Sequence, residues 1–181
     1  MKVWPERDEW IMAQVAAGHR DHLEPLVRRY ASALVAFLSR LCGDRQRGED
    51  LFQEVFLTVW LKRKLYTYPR SFKAWLYAIA LNKTRSDLRR KTAAAQPLEH
   101  APADTAPAPD ETIADRELAQ RVALAVQQLP GTQRAVVALR MWQDLSYSEI
   151  AKMLGKTEGT VRSHMFHAIK TLRPLLQDVA L

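Results

Sequence analysis

A chain of 181 residues that is 48% hydrophobic has enough apolar side chain for one domain or two small ones. Its formal charge of +7 points to a polyanionic partner, nucleic acid before membrane. The single cysteine, Cys42, excludes an internal disulfide framework, and no stretch approaches the length of an apolar membrane span or follows a basic leader, so a cytoplasmic protein is expected.

In chain order, residues 6–18 read as a short helix with Trp10, Ile11 and Val15 on its apolar face and Gly18 at its end. A longer helix follows to Cys42, starting at Asp21 or at Glu24, because Pro25 belongs in a first turn. Leu23, Leu26, Val27, Tyr30, Leu34, Phe37, Leu38 and Leu41 form its buried stripe, and Cys42 beside them is expected as a buried thiol. Gly43-Asp44 breaks the chain. A third helix over about 46–64 buries Leu51, Val55, Phe56, Val59 and Trp60. Its other face carries Glu49, Asp50, Gln53 and Glu54, an acidic and amide patch inside a basic region.

The loop Tyr66-Thr-Tyr-Pro-Arg-Ser-Phe72 sets aromatic rings beside Arg70 and Lys73. A fourth helix runs from about Ser71 to Lys91, with Trp75, Leu76, Ile79 and Leu88 facing the core. Asn82, Lys83, Arg85, Arg89, Arg90 and Lys91 crowd its exposed end. Rings among cations suit single-stranded nucleic acid, since rings stack on bases while cations hold phosphates. For Trp75 the core reading outweighs stacking; Tyr66, Tyr68 and Phe72 are the better stacking candidates, because loop aromatics are less often needed for packing.

Residues 1–91 carry 18 Lys and Arg against 10 acids, whereas residues 92–115 carry five acids, four prolines and no Lys or Arg. That composition predicts a flexible, mostly disordered linker, able to reach roughly 80 Å when extended. Residues 116–181 are basic again, with nine cations against five acids. Leu118, Val122, Ala125, Val126 and Leu129 mark one helix, ended by Pro130-Gly131. Ala135, Val136, Leu139 and Met141-Trp142 mark the next.

From Leu145 to Leu172 the sequence reads as a helix, a tight turn and a longer helix. Ser146 with Glu149 is a capping box, and Ile150, Met153 and Leu154 share a face. Gly155 ends the helix and Thr157 caps the next. Val161, Met165, Ala168 and Leu172 fall on one buried stripe, which leaves Arg162, Ser163, Phe166, His167 and Lys170 outward. An ordinary helical hairpin with a solvated face has the same periodicity. Cations almost free of acids, an exposed ring able to meet a thymine methyl, and a basic surrounding chain favour a DNA major groove. No strand pattern occurs, so the expected fold is all-α: two small helical domains joined by a flexible acidic Ala/Pro-rich linker, the second with a helix-turn-helix.

Three regions, in chain order, together resemble the extracytoplasmic-function (ECF) branch of bacterial RNA polymerase sigma factors. Glu49-Asp-Leu-Phe-Gln-Glu-Val-Phe-Leu57 with Trp60 is similar to the family's polymerase-binding helix. Phe72-Lys-Ala-Trp-Leu-Tyr-Ala-Ile-Ala80 with Asn82, Asp87, Arg89 and Arg90 is similar to its promoter-melting and −10-reading segment. Leu129-Pro-Gly-Thr-Gln-Arg134, Leu145-Ser-Tyr-Ser-Glu-Ile-Ala151 and Glu158-Gly-Thr-Val-Arg-Ser163 are similar to its −35-reading domain. The resemblance implies a region 2-like domain over 1–91, a linker over 92–115 passing near the polymerase active centre, and a region 4-like domain over 116–181.

It further implies core RNA polymerase as partner, through the β′ clamp helices and the β flap, promoter DNA, and an anti-sigma factor. Asp50, Gln53 and Glu54 would dock on the clamp helices, with Phe56 beside them. Tyr66, Tyr68, Phe72, Trp75, Asn82, Lys83, Arg85 and Arg89 would melt and read the −10 element. Arg162, Ser163, Phe166, His167 and Lys170 would face the −35 groove. The sequence departs from the family pattern at Lys156, where the turn usually carries an apolar residue, at His164 and His167, often Arg, and at Leu81, often basic.

Two other classes compete. A stand-alone helix-turn-helix regulator explains residues 145–172 but gives the 49–60 patch no task. An enzyme lacks support: His164 and His167 at i, i+3 have no third ligand nearby in sequence, and no phosphate loop or nucleophile motif occurs. Neither cofactor nor metal is expected.

Overall fold

The computed structural model describes residues 7–93 and 113–176, so most of the expected linker, 94–112, lies outside the described residues. Eight α-helices and no strand are found among those residues. Helix α1 (Asp8–Ala16) buries Ile11, Met12 and Val15, while Trp10, expected on that face, is exposed at the rim. Asp8 in its first turn ties α1 to α2 (Leu23–Cys42) by accepting hydrogen bonds from Tyr30 Oη at 2.6 Å and from Arg29. Burial, and then the Asp8 carboxylate, hold the Tyr30 hydroxyl well above its ordinary pKa.

Helix α3 (Arg45–Leu61) starts where the Asp44 side chain accepts the Arg47 backbone N–H at 3.0 Å. It crosses α2 so closely that a Cβ on Gly48 would lie 2.2 Å from Ser39 Oγ and 2.8 Å from Ser39 N. Only a residue without a side chain fits there. Helix α4 (Phe72–Ala93) is anchored at its start by Ser71 Oγ, which accepts Ala74 N–H, and by Glu9, which accepts Phe72 N–H at 3.3 Å. Its first half is wrapped by α1, α2 and α3, and Phe72, Trp75, Leu76, Tyr77, Ala80 and Leu81 are all buried. Tyr77 meets Phe37 of α2 edge-on at 5.0 Å. The departure at Leu81 is thereby explained, since that position is core.

Helix α5 (Ile113–Gln127) and helix α6 (Gly131–Val137) bury Ala125, Val126, Ala135, Val136 and Val137. Leu118, expected in the core, is exposed. A π turn over Ala138–Trp142 continues α6 and leaves Met141 in solvent. Helices α7 (Tyr147–Leu154) and α8 (Glu158–Leu175) close the second group of helices.

The two groups meet at the C-terminal end of α2. Arg134 donates to Leu41 O at 3.1 Å, to Gln127 Oε1 at 2.7 Å, to Leu129 O at 3.2 Å and to Gln127 O. Gln127 Nε2 donates to Arg40 O, and the Arg40 guanidinium sits 4.6 Å from the centre of the Trp142 ring. Cα atoms of α4 and α7 approach within 8 Å.

Candidate functional site

Three surfaces carry the expected chemistry, and the first two share an edge. On α3, Arg47 is a hub: it reaches Asp87 Oδ1 at 2.7 Å, Glu54 Oε1 at 3.2 Å and Asp50 Oδ2 at 3.5 Å. The Asp87 hydrogen bond, foremost, holds its guanidinium above even its ordinary basicity. Glu54 also faces Lys83 of α4 at 3.4 Å. The expected acidic patch is therefore split. Asp50 and Gln53 face solvent, whereas Glu54 turns toward α4.

Phe56, expected beside the docking acids, is 7% exposed and packs on Phe52 with ring centres 5.1 Å apart. It belongs to the core, because its direction on α3 is that of Val55 and Val59. The apolar residues actually presented beside Gln53 are Leu57, 59% exposed, and Leu61, 68% exposed. Sequence reasoning missed both, although Gln53, Leu57 and Leu61 stand at i, i+4, i+8 and so share a face off the buried stripe.

At the next surface the stacking expectation is corrected for Tyr66 and Phe72, while Trp75 takes the core place that its helical spacing favoured. Tyr66, Phe72 and Trp75 are all buried and touch one another, Tyr66 to Trp75 at 5.4 Å and Phe72 to Trp75 at 6.3 Å. The Tyr66 hydroxyl donates to Arg70 O, which pins the loop to its own ring cluster. Only Tyr68, 55% exposed, remains open to a base. Of the cations expected on the exposed end of α4, Arg89 is exposed, and Lys83 and Arg85 are half-buried.

Asn82 is exposed in a cleft of about 770 Å³ between α3 and α4 that Lys62, Lys83, Arg89 and Arg90 also line. Lys62 was not foreseen, since it follows the end of α3 and only the tertiary approach of α4 brings it beside Asn82. Asp87 is buried and paired with both Arg47 and Arg90, so it organises the cations and does not face a ligand.

The third surface is built by local rules. Ser146 Oγ accepts Glu149 N–H at 3.2 Å and Glu149 Oε2 accepts Ser146 N–H at 2.9 Å, a complete capping box. Gly155, at φ +63°, ends α7 in the left-handed conformation that favours glycine. Thr157 Oγ1 then accepts Thr160 N–H at 3.2 Å to start α8. Val161, Met165 and Ala168 are buried, and Arg162, Ser163, Phe166, His167 and Lys170 all face solvent, Phe166 at 66%.

The Arg162 guanidinium lies 4.4 Å from the centre of the Tyr147 ring and 3.7 Å from Glu158, so α7 aims it. Tyr147 escaped the sequence reading because a residue inside a capping box looks like part of the cap. No group of three or more His, Cys, Asp or Glu able to hold a metal occurs among the described residues, and none of their helices is long and apolar enough to cross a membrane.

These surfaces match known proteins in the same order. Residues 26–94 match the family sigma-70 region 2, and residues 119–172 match sigma-70 region 4. The chain is 29% identical to the RNA polymerase sigma-H factor of Pseudomonas aeruginosa, covering 96% of this chain and 97% of that one. It is 30% identical to the ECF RNA polymerase sigma factor SigL of Mycobacterium tuberculosis, over 91% of this chain and 94% of that one. Among solved structures, the sigma factor RpoE of Bartonella quintana, in complex with the anti-sigma factor NepR, superposes with a TM-score of 0.75 at 25% identity, covering 85% of this chain and 96% of that chain. With region 2 on the α2–α4 face and region 4 on the helix-turn-helix, the chain belongs to the ECF RNA polymerase sigma factors.

Proposed function

We propose that this sigma factor divides transcription initiation between residues 1–91, which bind core RNA polymerase and open the −10 element, and residues 116–181, which read the −35 element, with 92–115 between them. The observation that carries the reading is the shared edge of α3 and α4. An acid, an amide and two exposed leucines stand on one side, and a cation-lined cleft around Asn82 on the other. Polymerase docking and strand capture are then neighbouring events.

Asp50, Gln53, Leu57 and Leu61 meet the β′ clamp helices. Leucines desolvate the contact while the carboxylate and amide set its register. Asn82 bonds the edge of an unstacked base, Tyr68 stacks, and Lys62, Lys83, Arg85 and Arg89 hold phosphates. On α8, Arg162 meets a guanine edge and Phe166 a thymine methyl, with Ser163, His167 and Lys170 alongside. The region 4-like helices also meet the β flap. The protein acts in the cytoplasm and contributes recognition, while bond formation belongs to the polymerase. The anti-sigma factor bound to the RpoE relative supports a similar partner here.

The test is reconstitution with core polymerase, followed by run-off transcription across a promoter library. Transcripts that require the protein and share two spaced upstream motifs are expected. The double variant Asp50→Lys, Leu57→Ala is expected to lose polymerase affinity at least about tenfold while keeping its helical content. Undiminished co-elution of that folded variant with core enzyme removes the docking assignment. Failure of the wild-type protein to bind polymerase at all leaves a stand-alone DNA-binding regulator.

A further inference from the structure

Helix α1 precedes residues 26–94, the stretch matched to region 2, and the function proposed above gives it no task. Its place in the fold is specific. Cα atoms of α1 come within 8 Å of the turn Arg63–Leu65 and of α4, so it braces both ends of the loop between them. The first N–H groups of a helix have no partner inside it. A capping box satisfies one of them with a Glu or Gln three residues past the cap. After the cap Ser71, α4 carries Ala74 at that position, too short to reach back. The half-buried Glu9 of α1, 63 residues away, brings a carboxylate instead and accepts Phe72 N–H at 3.3 Å. A negative charge also suits the positive end of a helix.

The same carboxylate acts on the other end of the loop. Burial first, and then Glu9, hold the Tyr66 hydroxyl well above its ordinary pKa, so it stays a donor to Arg70 O. Arg70 N–H in turn closes a tight turn onto Thr67 O at 2.9 Å. Between these fixed points stands Tyr68, the ring of this loop left open to a base.

We infer that Glu9 is a positioning residue for −10 recognition, setting from α1 where the Tyr68 loop stands without itself contacting DNA. The role in recognition rests on the function proposed above, in which Tyr68 stacks on an unstacked base. A ring in place only part of the time weakens the base contact by that fraction. Phosphate contacts carry no sequence information and are untouched. Loss of Glu9 therefore costs discrimination between −10 sequences more than it costs binding.

Three full-length variants test this. Glu9→Met keeps the length of the side chain without an acceptor, Glu9→Ala removes it, and Glu9→Gln keeps an acceptor oxygen. Run-off transcription with core polymerase, on promoters with single substitutions in the −10 element, reads discrimination. Amide exchange at Phe72 and its neighbours in the free protein reads the loop, and circular dichroism checks folding. Glu9→Met and Glu9→Ala are expected to lose about threefold to tenfold in −10 discrimination and to exchange faster by a similar factor, the range for one hydrogen bond. Polymerase affinity should stay within about twofold, and Glu9→Gln should restore both readouts.

Adding Tyr68→Ala to Glu9→Met should cost no further discrimination. A contact that only stabilises the fold would lower all promoters alike, and that result overturns the positioning role. Folded Glu9→Met and Glu9→Ala proteins with unchanged exchange overturn the brace itself. Faster exchange with intact −10 discrimination overturns its part in recognition. If Tyr68→Ala alone leaves discrimination unchanged, the stacking assignment falls and the recognition role of Glu9 falls with it, while exchange still decides whether Glu9 holds the loop.

Discussion

Helix α8 and the segment from Tyr66 to Trp75 read alike in the sequence, each mixing aromatic rings with cations, and they fold oppositely. Every outward residue of α8 is in solvent, including Phe166. In the other segment three of the four candidate rings are buried, and Phe72 is wholly so. The difference lies in how many sides are covered. Helix α8 packs along one stripe, so periodicity assigns its free face. The start of α4 is enclosed by three helices, and there a ring among cations is core. Aromatic and basic composition identifies a nucleic-acid surface only where the helix has a face left over.

The sharpest way to break this comparison is to truncate one ring in each region. Phe72→Ala is expected to lower unfolding stability by about 3–5 kcal/mol, the range for emptying a buried aromatic site. Phe166→Ala is expected to stay within about 0.5 kcal/mol of wild type while transcription from −35-dependent promoters falls. Denaturant titration of both variants decides the matter, and similar losses would erase the distinction.

A smaller effect sharpens the role of α8. Arg162→Ala is expected to weaken −35-dependent initiation by roughly tenfold, within the 1–3 kcal/mol of a bidentate base contact, with polymerase binding intact. Normal run-off from such promoters would remove the groove assignment.

Smallest of all is the support that α7 gives it. Tyr147→Leu takes away a cation–ring contact worth about 0.5–1 kcal/mol, so a loss of about twofold to fivefold is expected. Adding Tyr147→Leu to Arg162→Ala should cause no further loss. An additive double variant would show that Tyr147 acts on DNA by another route.

Helix order, the helix-turn-helix and its caps were legible because they are written locally. Ser146 with Glu149, Gly155, Thr157 and the stripe Val161, Met165, Ala168 each act within a turn or two. What was not legible depends on which helices become neighbours. Phe56 was assigned to both the core and the docking face, and only the packed structure chooses the core, passing the apolar role to Leu57 and Leu61. Lys62 joins Asn82 because α3 and α4 lie side by side. Leu118 shows the converse, an apolar residue on the expected face that none of the described residues covers.

The Arg47 hub carries a consequence for protein engineering and for evolution. One guanidinium is shared among Asp50, Glu54 and Asp87, and Glu54 in turn is shared with Lys83. Substitutions at these positions are therefore epistatic, and the cost of changing one depends on which residues occupy the others. A chimera that grafts the α3 surface of another sigma factor onto this chain inherits a mismatch unless Arg47 and Asp87 travel with it. Under the proposed function, partner choice on α3 and strand capture on α4 form a single heritable unit.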